Sequence, residues 1–295
     1  MISAERGCGA LRKQFPAPEY DLAGTLSSGQ AFRWRKIGEA WEGVVSGRWV
    51  RLGAAKGLIE AELAERTVSW EWLTHYLQLD LELDRVLGEF PQDEPMRRAI
   101  AACRGLRLLR QDPWECLASF ILSSTKQIVQ IQQIVALLCE RFGDSVPVRE
   151  GHPPVFAFPH AARVAAADES ELRACKMGFR APYLKATAEK LVAGEVDLVA
   201  LRSLDANSAR AQLLKLPGVG NKIADCVLLF AYGFQEAFPV DVWIAKALQQ
   251  LYFPKRRVHP KRLRAFSQTH FGPYAGYAQQ YLFHYMRTAW RPSGE

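Results

Sequence analysis

Two rhythms of hydrophobic spacing divide the chain. From Asp21 to about residue 63, apolar and polar positions alternate. Phe32 and Trp34 stand against Arg33 and Arg35, strand-like runs follow at residues 41–45 and 49–52 with Ser46-Gly47 as the turn between them, and residues 57–63 form another run. A period of two buries one face of a pleated sheet and wets the other. A twisted antiparallel sheet is expected here. Residues 1–19 carry no such pattern, and Pro16 and Pro18 point to an irregular start.

After Thr67 the spacing lengthens to three and four. Trp70, Leu73 and Leu77 share a face, then Leu83, Val86 and Leu87. Asp112-Pro113-Trp114-Glu115 offers an N-cap, a proline at the first helical position and an acid placed to close a capping box. That helix carries Leu117, Phe120 and Ile121. Beyond the turn Ser123-Ser124-Thr125-Lys126-Gln127, a second carries Ile128, Ile131, Ile134, Val135 and Leu138. Such stripes form core. Residues 143–175, rich in Pro and Ala, read as a loop with a short helix at 172–175, and a helix resumes from Tyr183 to Leu191. The expected fold is α+β: an N-terminal antiparallel β domain with trailing helices over residues 1–110, packed on a mostly α-helical body over 111–295.

The densest chemical signal lies in residues 208–251. Ala209, Leu213, Leu214 and Leu216 run at helical spacing into Pro217-Gly218-Val219-Gly220, and Ile223, Ala224, Val227, Leu228 and Phe230 follow at once. That predicts two helices joined by a tight glycine turn, over about 208–232. Gly218 and Gly220 can take positive φ and carry no Cβ, so the turn and the next helix start can offer N–H groups to a phosphate. This is the shape of a helix-hairpin-helix, which clamps DNA backbone without reading sequence. Lys222 falls in the first turn of the second helix, where a cation opposes the macrodipole. Such a place favours the uncharged amine that a nucleophile needs. Asp241 follows Phe238-Pro239-Val240 and heads another helical pattern of Val242, Ile244, Ala245, Leu248 and Leu251. Taken singly, a first-turn lysine is a solvated residue and such an aspartate an N-cap. Hairpin, amine and carboxylate together specify chemistry.

This combination resembles the helix-hairpin-helix-GPD superfamily of DNA glycosylases, and within it the bifunctional 8-oxoguanine DNA glycosylases. The likeness runs from about Asp21 to Arg287 and implies a TBP-like N-terminal sheet, a helix-hairpin-helix-GPD body and DNA lying across the cleft between them. Residues 27–34, Ser27-Ser28-Gly29-Gln30-Ala31-Phe32-Arg33-Trp34, are similar to the family's Ser-Gly-Gln-x-Phe-Arg-Trp. There the glycine carbonyl accepts a hydrogen bond from N7–H of the oxidised base, a hydrogen that guanine lacks, and Gly29 matches it. Phe271-Gly272-Pro273-Tyr274-Ala275-Gly276-Tyr277-Ala278-Gln279 is similar to a second family stretch. By that resemblance Gln279 bonds the Watson–Crick edge of the extruded base, Phe283 stacks on it, and Cys226 has a cysteine counterpart beside it. Stacking and edge recognition are the general means of reading a flipped base.

The same resemblance assigns DNA contacts. Gly218, Val219 and Gly220 form the backbone clamp. Phe179 wedges into the stack beside the lesion, and Arg180 contacts a phosphate or the orphan base. Thr125 and Gln130 stand where the family has an asparagine that fills the vacated space and an arginine that reads the opposing cytosine, which leaves the opposite base open. Trp243 replaces a phosphate-contacting histidine. The implied mechanism is covalent: Lys222 attacks C1′ of the flipped nucleotide, Asp241 stabilises the cationic sugar, and the resulting imine nicks the strand by β-elimination. Formamidopyrimidine is implied as a second substrate. No metal, nucleotide or flavin is implied. Two other readings stand beside it: an alkylated-base glycosylase of the same fold, against which Lys222, Gly29 and Gln279 argue, and a non-catalytic hairpin clamp, which leaves Lys222 and Asp241 without a task.

Composition adds the partner and the compartment. A net charge of +7 and a pI near 9.1 suit a polyanion. A basic run, Lys255, Arg256, Arg257, His259, Lys261, Arg262 and Arg264, adds to it. The six cysteines have no C-x-x-C spacing and lack the close-set iron–sulfur loop of endonuclease III-like enzymes, so reduced, mostly buried thiols of an intracellular protein are expected. No run of 18 apolar residues and no signal-peptide pattern occurs. The expectation is a soluble monomer on double-stranded DNA containing oxidised purine, in the cytoplasm and nucleoid if bacterial, the nucleus if eukaryotic, with no membrane partner.

Overall fold

The computed structural model describes residues 11–290 apart from 68, 255 and 256. Five strands form one antiparallel sheet in the order β1-β5-β4-β3-β2: β1 (Leu11–Pro16), β2 (Arg35–Ile37), β3 (Ala40–Val45), β4 (Arg48–Ala55) and β5 (Leu58–Leu63). Two of its turns put both central residues at positive φ, Ser46 at 49° with Gly47 at 73°, and Lys56 at 51° with Gly57 at 75°. That geometry matches the right-handed twist of the flanking strands.

Two expectations change. Of the patternless start, residues 1–10 lie outside the described residues, and the rest opens on a strand, β1, paired along its length with β5 from Leu11↔Leu63 to Pro16↔Leu58. It is an edge strand with polar residues beside buried Phe15, and an edge needs no full hydrophobic alternation. Conversely, Phe32 and Trp34 do not belong to a strand: α1 (Leu22–Ser27) precedes them and β2 begins only at Arg35. Their alternation has another cause. Phe32 is buried in the helical core and Trp34 in the sheet core, so the segment threads between two cores and gives one ring to each.

The sheet packs Val50, Leu52, Ile59, Ala61 and Leu63 against Leu22 and Leu26 of α1 and Leu73 and Leu77 of α2 (Glu71–Leu77). Gly43 leaves room for the Trp34 ring, which a Cβ would meet at 2.7 Å. A second, continuous core gathers the rest: α3 (Leu83–Gly88), α4 (Glu94–Cys103), α5 (Pro113–Leu122), α6 (Ile128–Phe142), α7 (Ala161–Ala166), α8 (Glu169–Leu172), α9 (Ala181–Val192), α10 (Ala206–Leu213), α11 (Asn221–Val227), α12 (Val242–Tyr252), α13 (Pro260–His270) and α14 (Ala275–Thr288). Residues 143–175 are more ordered than expected, with a small ladder of β6 (Ser145–Val146) and β7 (Val155–Phe156) before α7 and α8. Of α7 only Val164 is buried, too little to give a stripe. At α5, Asp112 caps by accepting from Glu115 N at 2.9 Å, but the capping box does not close. The Glu115 carboxylate turns instead to Arg33 at 3.3 Å, tying α5 to the segment ahead of the sheet.

Helix α14 is the centre of the molecule and is buried on nearly every side through Leu282. Tyr277 accepts from Leu108 N at 3.2 Å and donates to Gln78 Oε1 at 3.0 Å, while Tyr281 donates to the Leu106 carbonyl at 3.1 Å. Gly276 admits the close approach of Leu229 and the Ala237 carbonyl, 2.2 Å and 2.7 Å from where a Cβ would stand. Gln280 Nε2 donates to the Ser28 carbonyl at 3.2 Å, which links this helix to the loop after α1.

Candidate active site

The hairpin between α10 and α11 is built around Gly218, at φ 76°. A Cβ there would lie 2.9 Å from Tyr183 Cβ, so both conformation and space require glycine. Thr187 Oγ1 donates to the Pro217 carbonyl at 2.9 Å and fixes the turn to α9. Val219 N–H is spent inside the turn, on the Leu216 carbonyl at 3.2 Å. Gly220 is the N-cap of α11, with no side chain capping the helix and nothing near its absent Cβ. The open donors therefore lie at the α11 end of the turn.

From this start Lys222 points inward. Its Nζ donates to Ser123 Oγ at 3.0 Å and lies 5.1 Å from the centroid of Phe120, both from the end of α5. Asp241 is the N-cap of α12, accepting from Ile244 N at 2.8 Å, as a cap should. Both residues line one cavity of about 340 Å³, together with Gly29, Cys226, Trp243, Gln279 and Phe283. That is the size of a small-ligand site. Seven residues singled out in the sequence, from four separate segments, thus meet in one place.

Gly29 has φ 80°, and a Cβ on it would come within 2.5 Å of Ile128 Cδ1. Its neighbour holds it still. Gln30 is fully buried; its Oε1 accepts from Leu109 N at 2.7 Å, its Nε2 donates to Arg107 O at 2.8 Å, and its carbonyl accepts from Gln111 Nε2 at 2.7 Å. Gln279 is 4% exposed, and its Oε1 has no hydrogen-bond partner among the described residues. An unsatisfied buried polar atom costs about 1–3 kcal/mol, which an incoming donor would recover. Cys226 is buried, and burial pushes its thiol up to about 12 against the lowering pull of Lys222. It stays protonated at neutral pH and serves as an apolar wall rather than a nucleophile.

Beyond the hairpin residues Gly218, Val219 and Gly220, four predicted residues sit outside the cavity. Phe179 is 56% exposed on the short 3-10 turn of Gly178–Arg180 that leads into α9, as a wedge requires. Thr125 and Gln130 lie on the surface around the start of α6. Gln130 Oε1 accepts from Gln127 N at 3.1 Å and so spends that oxygen on the helix cap. Arg180, expected to meet a phosphate or the orphan base, is held within the protein. Its guanidinium is buried, donating to Thr125 Oγ1 at 2.6 Å, to the Ser124 carbonyl and to Met177 O at 3.2 Å. It anchors the turn that carries Ser123, because that turn's carbonyls have no helix to satisfy them. Ser123 and Arg287 are among the cavity residues that escaped the sequence reading. Ser123 gave no signal beyond turn chemistry, and Arg287 had one that was not followed, its spacing of i+4 from Phe283 and i+8 from Gln279.

A larger cavity, about 790 Å³, opens between the sheet, α6 and the 149–156 loop. Most of its charges are already engaged, Glu42 with Arg51 and His152, Arg33 with Glu115, Arg149 with Glu62, and it contains none of the seven candidate residues that meet in the smaller cavity. The smaller cavity is the candidate site. Among the described residues no cluster of His, Cys, Asp or Glu could hold a metal, and no helix is long and apolar enough to cross a membrane.

Comparison with known proteins agrees with this geometry. Residues 13–117 match the 8-oxoguanine DNA glycosylase N-terminal domain, and residues 118–273 match the HhH-GPD superfamily of base excision DNA repair proteins. The chain is 30% identical to the N-glycosylase/DNA lyase of Arabidopsis thaliana over 287 residues, covering 90% of this chain and 77% of that one. It is 30% identical to the N-glycosylase/DNA lyase of Saccharomyces cerevisiae, covering 83% and 72%. The 8-oxoguanine glycosylase/lyase of Clostridium acetobutylicum, solved with double-stranded DNA containing cytosine opposite 8-oxoguanine, superposes with a TM-score of 0.87 at 29% identity, covering 94% and 97%.

Proposed function

This chain belongs to the 8-oxoguanine DNA glycosylases of the HhH-GPD base excision repair superfamily, and on that premise we propose how its own residues divide the work. It is a bifunctional N-glycosylase and DNA lyase whose substrate is double-stranded DNA carrying 8-oxoguanine, and we infer formamidopyrimidine as a second lesion from the family resemblance. It works where the genome is, in the nucleoid of a bacterium or the nucleus of a eukaryote.

The glycosidic carbon is out of reach inside a duplex, so the nucleotide must leave the stack. The hairpin at Gly218 to Gly220 grips the backbone while Phe179 enters the gap. In the cavity the Gly29 carbonyl accepts N7–H, Gln279 takes the Watson–Crick edge and Phe283 stacks on the ring. Lys222 forms a bond to C1′ as the bond to the base breaks, and Asp241 stabilises the positive charge on the sugar. The imine that follows loses a proton from C2′, and the 3′ phosphate leaves by β-elimination. Ser123 keeps the amine aimed between turnovers through its 3.0 Å hydrogen bond.

One observation carries this reading: Lys222, Asp241, Gly29, Gln279 and Phe283 line the same cavity. Borohydride trapping tests it, on duplexes with 8-oxoguanine opposite each of the four bases. A covalent adduct should form with the native protein and vanish in Lys222→Gln. Base release without any adduct would mean that water, not the lysine, attacks. The dependence on the opposite base reports what Thr125 and Gln130 select.

A further inference from the structure

Arg287 shares the face of α14 that carries Gln279 and Phe283, one turn beyond the second and two beyond the first. Its guanidinium lies over the Phe283 ring, with Cζ 5.3 Å from the centroid. Nη1 reaches to 3.5 Å from where a Cβ on Gly29 would stand. Among the described residues its N–H donors meet no acceptor, although the Asp241 carboxylate shares the cavity. The residue is exposed overall, yet burial of its inner side lowers its pKa, with Asp241 pulling the other way. A surface arginine normally extends its head to water. This one folds back over the Phe283 ring toward the backbone at Gly29.

The edge of 8-oxoguanine that faces a glycine carbonyl presents N7–H flanked by two oxygens, O6 and O8. An acceptor with a cationic donor beside it is the complement of that edge. We propose that Arg287 contacts the flipped base itself, donating to the oxygen next to N7–H and stabilising the negative charge the base acquires as it departs. The proposal rests on the reading of Gly29 and Lys222 given above. In the step concerned, the Lys222 lone pair forms the bond to C1′, and the C1′–N9 pair moves onto the base, where it spreads to the exocyclic oxygens. The ammonium so formed gives up a proton, and the base leaves with one. Arg287 transfers nothing and stays charged throughout. Preorganised donors aimed at developing charge act in this way.

The base is absent from an abasic site, which separates this role from the lysine's. Single-turnover excision of 8-oxoguanine and nicking of a preformed abasic duplex should be measured side by side for the native protein, Arg287→Met and Arg287→Lys. The methionine variant should excise about 10²-fold more slowly, the scale of losing one such donor, while nicking of the abasic duplex is unchanged. The lysine variant, or guanidinium ion added to the methionine variant, should recover part of the loss. Unchanged excision in Arg287→Met would overturn the proposal and leave the lysine mechanism intact. An equal loss of excision and abasic nicking would also overturn it, since the residue would then serve DNA binding or the fold. A native protein that excises no 8-oxoguanine would remove the reading beneath it as well.

Discussion

Gln279 and Thr125 each violate a local rule, and each violation points to function. Gln279 holds a buried oxygen without a partner, an arrangement that stability alone would not keep. Gln279→Met should therefore raise the thermal stability of the free protein, by up to about 1 kcal/mol, while slowing excision because the Watson–Crick edge of the base loses its partner. A melting curve and an excision assay check both halves, and a lower melting temperature would show that the carboxamide has a structural bond after all. Thr125 is a β-branched residue at φ 57°, which costs about 1–3 kcal/mol. Asparagine tolerates that region better and could still accept from Arg180. Thr125→Asn should accordingly raise the melting temperature, and the excision ratio among opposite bases should shift with it. If stability falls, the threonine methyl or hydroxyl does more than accept one bond.

At the scale of elements, the hairpin allows a paired test. Gly218→Ala meets both a left-handed φ and the Tyr183 side chain, and should cost about 1–2 kcal/mol in stability from the backbone alone. Gly220→Ala has φ −101° and open space, so stability should be spared, yet its Cβ would stand where a phosphate approaches. Loss of DNA affinity in Gly220→Ala without loss of stability is the expected signature. Affinity kept in that variant would move the clamp elsewhere on the surface. The hairpin was legible in the sequence because glycines with a conformational duty and apolar helical stripes are both local signals. β1 and α7 were not, since each buries too little of its own to show a period. The Phe32 and Trp34 alternation misled for the opposite reason, a true burial pattern produced by two cores rather than one sheet. That Arg180 also ties the α5–α6 turn to the segment before α9 was not legible, because sequence shows its charge and not its burial.

For the molecule as a whole, the logarithm of DNA affinity should fall linearly with the logarithm of salt concentration, as expected for a chain of net charge +7 that releases counterions from phosphates. Protein stability has its own dependence on pH. His284 on α14 is half-buried, and burial lowers its pKa below the ordinary histidine value, with Asp21 opposing. The native state therefore disfavours the charged ring. That contribution is complete above the ordinary histidine pKa and is lost as pH falls through the depressed one. Melting temperature should drop on acidification below about pH 6.5, the ordinary histidine value, and drop less in His284→Gln. An identical acid dependence in the variant would assign the loss to carboxylates instead.

Helix α14 also sets the order in which function can appear during synthesis. A nascent chain emerges from the ribosome N-terminus first, and its early segments begin to fold before the last ones are made. Here Ser28 of the first lobe and Leu106 and Leu108 beyond it find their partners on a helix made near the end of translation, the same helix that supplies Gln279 and Phe283. A chain stopped before residue 275 has its hairpin and its lysine but no wall for the base. Excision of a base by half-made protein is thereby blocked by architecture until α14 has been made.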